Sequence, residues 1–150
     1  MSRLEVRPVP LERTRALRRS VLRPHQSEEE LAAHEPSGAF AVGAFDGDAL
    51  VAVGFVGRDG GPGAWRVRGM ATEPGAQGRG AGTAVLDALV RHAEAEGATR
   101  VWCNARTRAR SLYERAGFAV VSEEFELPEI GPHLRMERPV GPSTLREGRG

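Results

Sequence analysis

Six consecutive residues, Gln77-Gly78-Arg79-Gly80-Ala81-Gly82, hold the clearest chemical potential in this chain. Before them the stretch from Ala64 to Thr72 reads as a strand, and after them Val85, Leu86, Leu89 and Ala93 recur at helical spacing with Asp87, Arg91 and Glu94 opposite. A strand, a glycine-rich turn and a helix start, in that order, leave backbone N–H groups unpaired at the positive end of a helix dipole. Glycines there let a ligand reach the main chain without meeting a Cβ. The ligand such a place favours is a phosphate or pyrophosphate, and Arg79 adds a guanidinium suited to phosphate oxygens. The same residues would also make a plain chain-reversing turn, and the loop alone leaves both readings open.

Two phosphate motifs can be tested directly. A Walker A loop needs a lysine to reach the terminal phosphates, and the chain has none. A dinucleotide fingerprint needs a third glycine where Thr83 stands, and it belongs in the first β-turn-α unit of its domain, whereas this loop lies mid-chain. Among other reactive side chains, Cys103 is the sole cysteine and lies in the apolar run Val101-Trp102-Cys103, where a thiol is a small filler more often than a nucleophile. Arg68 shares a strand face with Arg66 and Met70 by simple alternation, and an arginine near mid-sheet must find a carboxylate or carbonyls, a structural ion pair being the more common outcome than catalysis. The acidic cluster Glu123, Glu124, Glu126 and Glu129 reads either as a lure for an amine or, more commonly, as a solvated hairpin.

The elements that must position these residues follow from periodicity. Leu4 to Arg7 alternates as a short strand. Leu11, Leu17 and Val21 share a helical face until Arg23-Pro24 stops it. Ser27-Glu28-Glu29-Glu30 is a capped start for a second short helix ending near Pro36. Phe40 to Phe45 and Leu50 to Gly57 are strands joined by the turn Asp46-Gly47-Asp48, and Ala64 to Thr72 follows as a third antiparallel strand. A helix from Gly80 to Glu96, a buried strand from Thr99 to Asn104 and a helix from Thr107 to Ala116 come next. A final antiparallel pair is formed by Phe118 to Leu127 and His133 to Glu137. The order is β, α, α, β, β, β, α, β, α, β, β, an α/β mixed sheet with helices on both faces. It forms one domain over residues 1–139, and the Gly-, Pro- and Arg-rich residues 140–150 are expected to be a disordered tail.

Composition limits the partners. The chain has 150 residues and a formal net charge of +1, with no basic stripe interleaved with aromatics, so neither nucleic acid nor a membrane surface is expected. No run approaches the ~18 apolar residues that a bilayer span needs, and one cysteine permits no internal disulfide, so a cytoplasmic protein is expected. All 21 basic residues are arginine and Ile130 is the only isoleucine, the mark of a GC-rich and, we expect, bacterial coding sequence.

The stretch Met70 to Gly82 resembles the acyl-CoA loop of the GCN5-related N-acetyltransferase (GNAT) superfamily. Its pattern is Gln or Arg, two residues, Gly, one residue, then Gly or Ala, matched here by Gln77, Gly80 and Gly82. A second family signature follows in Leu112-Tyr113-Glu114-Arg115-Ala116-Gly117-Phe118, with Asn104 on the preceding strand end. The order of elements fits over residues 3 to 138. The resemblance implies the acyl-CoA N-acyltransferase fold, a mostly antiparallel sheet in which the strands either side of the loop and its helix form a splayed parallel pair. It implies acetyl-CoA as co-substrate, held by Met70, Ala71, Thr72, Gln77, Gly78, Arg79, Gly80, Ala81, Gly82, Thr83, Asn104 and Tyr113, with backbone N–H groups of Met70 through Thr72 on the thioester carbonyl. Tyr113 would be the general acid for the departing thiolate. The segment Ile130 to Met136 resembles a branch of the superfamily whose C-terminal hairpin carries a Pro-His pair, which makes His133 a candidate lining of the acceptor pocket. Glu73, Glu123, Glu124 and His133 remain open as the general base. The function implied is direct transfer of an acetyl group to an amine, small molecule or protein, by a monomer or homodimer. The rival is an acyl-CoA-binding regulatory module without catalysis.

Overall fold

A computed structural model describes residues 4–141. Eight strands form one sheet in the order β1-β2-β3-β4-β5-β8-β6, with β7 also pairing β8. The strands are β1 (Leu4–Val9), β2 (Phe40–Asp46), β3 (Ala49–Arg58), β4 (Ala64–Thr72), β5 (Arg100–Arg106), β6 (Ala119–Val120), β7 (Phe125–Leu127) and β8 (Gly131–Pro139). Four α-helical segments accompany them: α1 (Arg15–Leu17), α2 (Glu28–Ala33), α3 (Ala81–Ala95) and α4 (Arg110–Arg115). The expected mixed sheet is present, with every neighbouring pair antiparallel except β4 and β5.

Between β4 and β5 the sheet opens. Pairing is confined to Ala64 with Arg100, Trp65 with Val101 and Arg66 with Trp102, after which Val67 to Thr72 and Cys103 to Arg106 have no mutual partners. A second feature lies on the other edge of β4. Val53 pairs Ala71 and Phe55 pairs Arg68, so Gly69 and Met70 together stand opposite Gly54. This is a β-bulge, and Gly69 at φ 67° supplies the left-handed residue it needs. The extra residue reverses the alternation. Trp65 and Val67 before the bulge join the core around α3, while Arg66 and Arg68 face away from it. After it, Met70 turns to the α3 side, where a Cβ on Gly54 would strike Met70 Sδ and Leu89, and Ala71 packs with Leu17 and Val53 on the side of α1. Simple alternation had placed Met70 with Arg66 and Arg68; the bulge puts it on the opposite face.

Helix α3 fastens this arrangement by burying Ala81, Val85, Leu86, Leu89, Val90 and Ala93 against the sheet. Each fully buried Leu or Val contributes about 1.5–3 kcal/mol relative to exposure. On the other face, the first helical region is a continuous series of turns: 3₁₀ at Leu11–Thr14, α1, and a π turn at Arg18–Leu22. Arg23 ends it by donating its N–H to the carbonyls of both Arg18 and Arg19. Helix α2 begins with a reciprocal capping box, Ser27 and Glu30 each accepting the other's backbone N–H. The expected last hairpin differs in one respect: its first strand is broken into β6 and β7, because Ser122 turns its Oγ onto the Arg135 N–H and interrupts the ladder. Packing also runs past the expected boundary at residue 139. Val140 is buried and its N–H bonds to Thr99, while Gly141 donates to Glu94. The remainder of the expected tail, 142–150, lies outside the described residues.

Candidate active site

The gap between β4 and β5 is the throat of a cleft of about 1010 Å³. Its floor at one end is the glycine-rich loop. Gly78 (φ 84°) and Gly80 (φ 82°) adopt left-handed backbone, and Gly80 is the N-cap of α3. No side chain caps that end and no acidic residue lies in the first turn; the first intrahelical bond is from the Ala84 N–H to the Gly80 carbonyl. The N–H groups ahead of it are therefore presented to the cleft that Gly80, Ala81, Gly82 and Thr83 line. Gly82 has ordinary helical backbone, but a Cβ on it would come within 3.2 Å of Thr72 Oγ1, so its smallness lets the helix start approach the end of β4.

Most of the residues implied by the resemblance gather here. Met70, Thr72, Gln77, Gly78, Gly80, Ala81, Gly82, Thr83, Asn104, Tyr113 and His133 all line the cleft. Two do not. Ala71 is turned to the α1 side by the bulge, and Arg79 points to the hairpin turn, where it pairs with Asp46 at 2.7 Å. What this end of the cleft presents is therefore the main chain rather than the Arg79 side chain.

Tyr113 reaches the cleft from α4, its ring edge-on to Phe118 with centroids 5.6 Å apart. The side chain is buried, and burial, reinforced by nearby Cys103, raises the phenol well above the ordinary tyrosine range. It therefore holds its proton at any physiological pH, as a general acid must before it acts. Cys103 is also buried, which pushes its thiol up to about 12, and it packs in the core as the filler the sequence suggests.

His133 is 5% exposed and enters from β8, where it stands opposite Arg106 of β5 and stacks against Phe125. Its Nδ1 lies 2.8 Å from the Gly131 carbonyl oxygen. A carbonyl can only accept, so Nδ1 carries a hydrogen, and in the neutral imidazole Nε2 is then the nitrogen with the lone pair, the form required of a base. Of the four base candidates only His133 lines the cleft. Glu73 is exposed outside it, Glu124 accepts from Thr107, and Glu123 is exposed. The acidic run as a whole is a solvated hairpin, with Glu129 beside His25 at 3.2 Å.

What sequence reasoning missed is the opposite wall. Arg18, Arg23, Arg66, Arg68 and Arg106 line it, together with His34 at the end of α2. Alternation along β4 puts Arg66 and Arg68 on one face, but no local pattern joins them to Arg18, Arg23 and Arg106, which come from separate segments that meet only in the fold. Arg18 is buried and bonds Glu35 at 2.6 Å; Arg15 grips the same carboxylate at 2.8 Å. Burial opposes the Glu35 charge, yet the hydrogen bonds from Arg15 and Arg18 prevail and hold its carboxyl below the usual range.

Comparison with known proteins places this geometry. Residues 9–118 match the model of the Acetyltransferase (GNAT) family. A relative in Bacillus subtilis (strain 168), the uncharacterized N-acetyltransferase YitI, is 34% identical over 157 aligned positions, covering 97% of this chain and 99% of its own. The chain belongs to the GNAT family and is an acetyltransferase acting on an amine. Among solved structures, the IAA acetyltransferase from Bacillus cereus ATCC 14579 shares the fold at a TM-score of 0.73 and 17% identity, covering 92% of this chain and all, 100%, of that one. An aminoglycoside 6'-N-acetyltransferase complexed with coenzyme A aligns at a TM-score of 0.76 and 15% identity, covering 92% and 98%.

Proposed function

We propose that the chain binds acetyl-CoA with its pyrophosphate on the uncapped start of α3 and its thioester in the gap between β4 and β5, and passes the acetyl group directly to an amine. The observation that carries this reading is that one cleft contains the free helix N-terminus, the unpaired edges of both strands, a protonated phenol and a histidine with an open Nε2. Acetyl-CoA supplies the activated acyl group. Free N–H groups at the helix start suit its phosphates, and the unpaired edge of β4 suits an extended arm bonded like an added strand.

In the step itself, the amine nitrogen forms a bond to the carbonyl carbon and the carbon–sulfur bond breaks. His133 Nε2 takes the proton that the amine sheds, and Tyr113 gives its hydroxyl proton to the departing sulfur. The products are an amide and free CoA thiol. Backbone N–H groups at Met70 to Thr72 would steady the charge on the carbonyl oxygen, a contribution of ~3 kcal/mol for each well-aimed donor.

Acetyl-CoA titration by calorimetry tests the cofactor half of this reading. Gly82→Glu places a carboxylate at the helix start at ordinary helical backbone angles, with a tight Cβ contact to Thr72 Oγ1 that lowers the melting temperature somewhat, and should abolish binding while circular dichroism shows a folded chain. Unchanged affinity in that folded variant would take the loop out of the mechanism.

A further inference from the structure

We infer that the acceptor is a small amine that also carries an anionic oxygen group, carboxylate or phosphate, which the arginines on the α1 side of the cleft bind. This rests on the acetyl-transfer reading above and narrows its acceptor.

Among the described residues, the cleft is lined by seven arginines and by no Asp or Glu. Five of the arginines gather on the face of the sheet away from α3. Arg66 and Arg68 precede the bulge on β4, Arg106 stands opposite His133 on β5, and Arg18 and Arg23 come from the start and the C-cap of the π turn that covers this face. Arg18 pairs with Glu35 and Arg66 with Asp59, whereas Arg23, Arg68 and Arg106 have no ion pair among the described residues. Arg68 Nη2 donates to the His34 carbonyl at 3.1 Å, and Arg106 Nη2 to the Leu22 carbonyl. Carbonyls orient a guanidinium but do not neutralise it. Arg66 reaches Asp59 only at 3.5 Å, and its Nε is buried without a partner. Arg23 has no side-chain hydrogen bond or ion pair among the described residues. The crowding is energetically adverse: burial and then neighbouring arginines lower the charged state of both Arg23 and Arg68.

Half-buried like charges that the protein itself leaves uncompensated create a strong local positive potential, and an anion bound there relieves both repulsion and desolvation. The guanidinium fork matches a carboxylate or phosphate with two parallel hydrogen bonds. Geometry sets the donor phosphates elsewhere, since the start of α3 proposed as their seat lies across β4, on the other face. The same wall also contains His133, so an acceptor whose anion rests on Arg23, Arg66 and Arg68 has its amine on the side of the proposed base. The remaining room favours a small molecule, because the donor thioester shares the cleft.

The test measures release of CoA thiol by the full chain with matched acceptor pairs: α-amino acids against their carboxamides for the carboxylate arm, and phosphoethanolamine against ethanolamine for the phosphate arm. The anionic member of at least one pair should be preferred by about 10-fold or more in kcat/KM. Arg68→Gln and Arg23→Gln should each shrink that preference about 10-fold, through KM more than kcat, with melting temperatures at or above wild type because a repulsive charge has gone. Equal or better use of the uncharged member in both arms overturns the inference. So does a variant that keeps the full preference, or the acetylation of uncharged amines alone. Failure of acetyl-CoA to bind in calorimetry would instead strike the acetyl-transfer reading beneath it.

Discussion

At Tyr113 the same burial that raises the phenol also packs its ring against Phe118, and one substitution separates that packing from the proposed acid role. Tyr113→Phe keeps the ring and removes the proton; kcat should fall by ~10²-fold or more while acetyl-CoA affinity barely moves, since the bond to sulfur is made only as charge develops there. Wild-type kcat in that variant, with chemistry shown to be rate-limiting, would return Tyr113 to packing alone. Cys103 makes the contrasting case. A thiol 1% exposed and pushed up to about 12 offers almost no thiolate at neutral pH, so a thiol-alkylating reagent should leave the native enzyme unmodified and active, as mass spectrometry and rates would read. The filler reading of Cys103 was legible from its short apolar run, whereas the acid role proposed for Tyr113 came from the family resemblance. Arg79 was not legible: its neighbours in sequence suggested phosphate, whereas the fold sets it against Asp46, 33 residues away.

Among the elements, the clamp of Arg15 and Arg18 on Glu35 joins the first helical region to the segment after α2, and so supports the arginine wall. Glu35→Ala leaves Arg18 buried without its partner and should cost about 3 kcal/mol in chemical denaturation. The pH dependence follows from the direction of the shift. The folded carboxyl lies below its unfolded value of 4.5, so the stabilisation is fully present above that pH and is lost as pH falls through the lower folded value. Wild type should therefore weaken on acidification below about pH 4.5 more steeply than Glu35→Ala. The elements themselves were largely visible in the sequence: the capping box at Ser27, the turn at Asp46-Gly47-Asp48 and the apolar stripe of α3 are all local signals. The bulge was not, because one added residue at Gly69-Met70 leaves the string of residues unchanged and alters only which face each side chain takes. For the same reason the cationic wall stayed hidden until β4, β5 and the π turn were brought together.

Across the whole molecule, the sheet supplies the cleft by failing to close between β4 and β5, and the C-terminal strand β8 holds β5 in place along its full length. Truncation should locate the end of this support. Removing residues after Gly141 should leave the melting temperature nearly unchanged, whereas removal after Arg138 also takes away buried Val140 and the Gly141 bond to Glu94. At about 2 kcal/mol for a buried valine, the shorter chain should melt several degrees lower, about 4–8 °C for a domain of this size. The central claim is that this cleft brings donor and acceptor together for one direct transfer. Two-substrate initial-rate kinetics, following free CoA thiol with an acceptor drawn from the matched pairs above, test it most directly. The account predicts intersecting lines and thiol release only when acceptor is present. A burst of thiol without acceptor, with parallel lines, would mean an acyl-enzyme intermediate; tight acetyl-CoA binding with no release for any amine would mean a binding module, and either result contradicts the account.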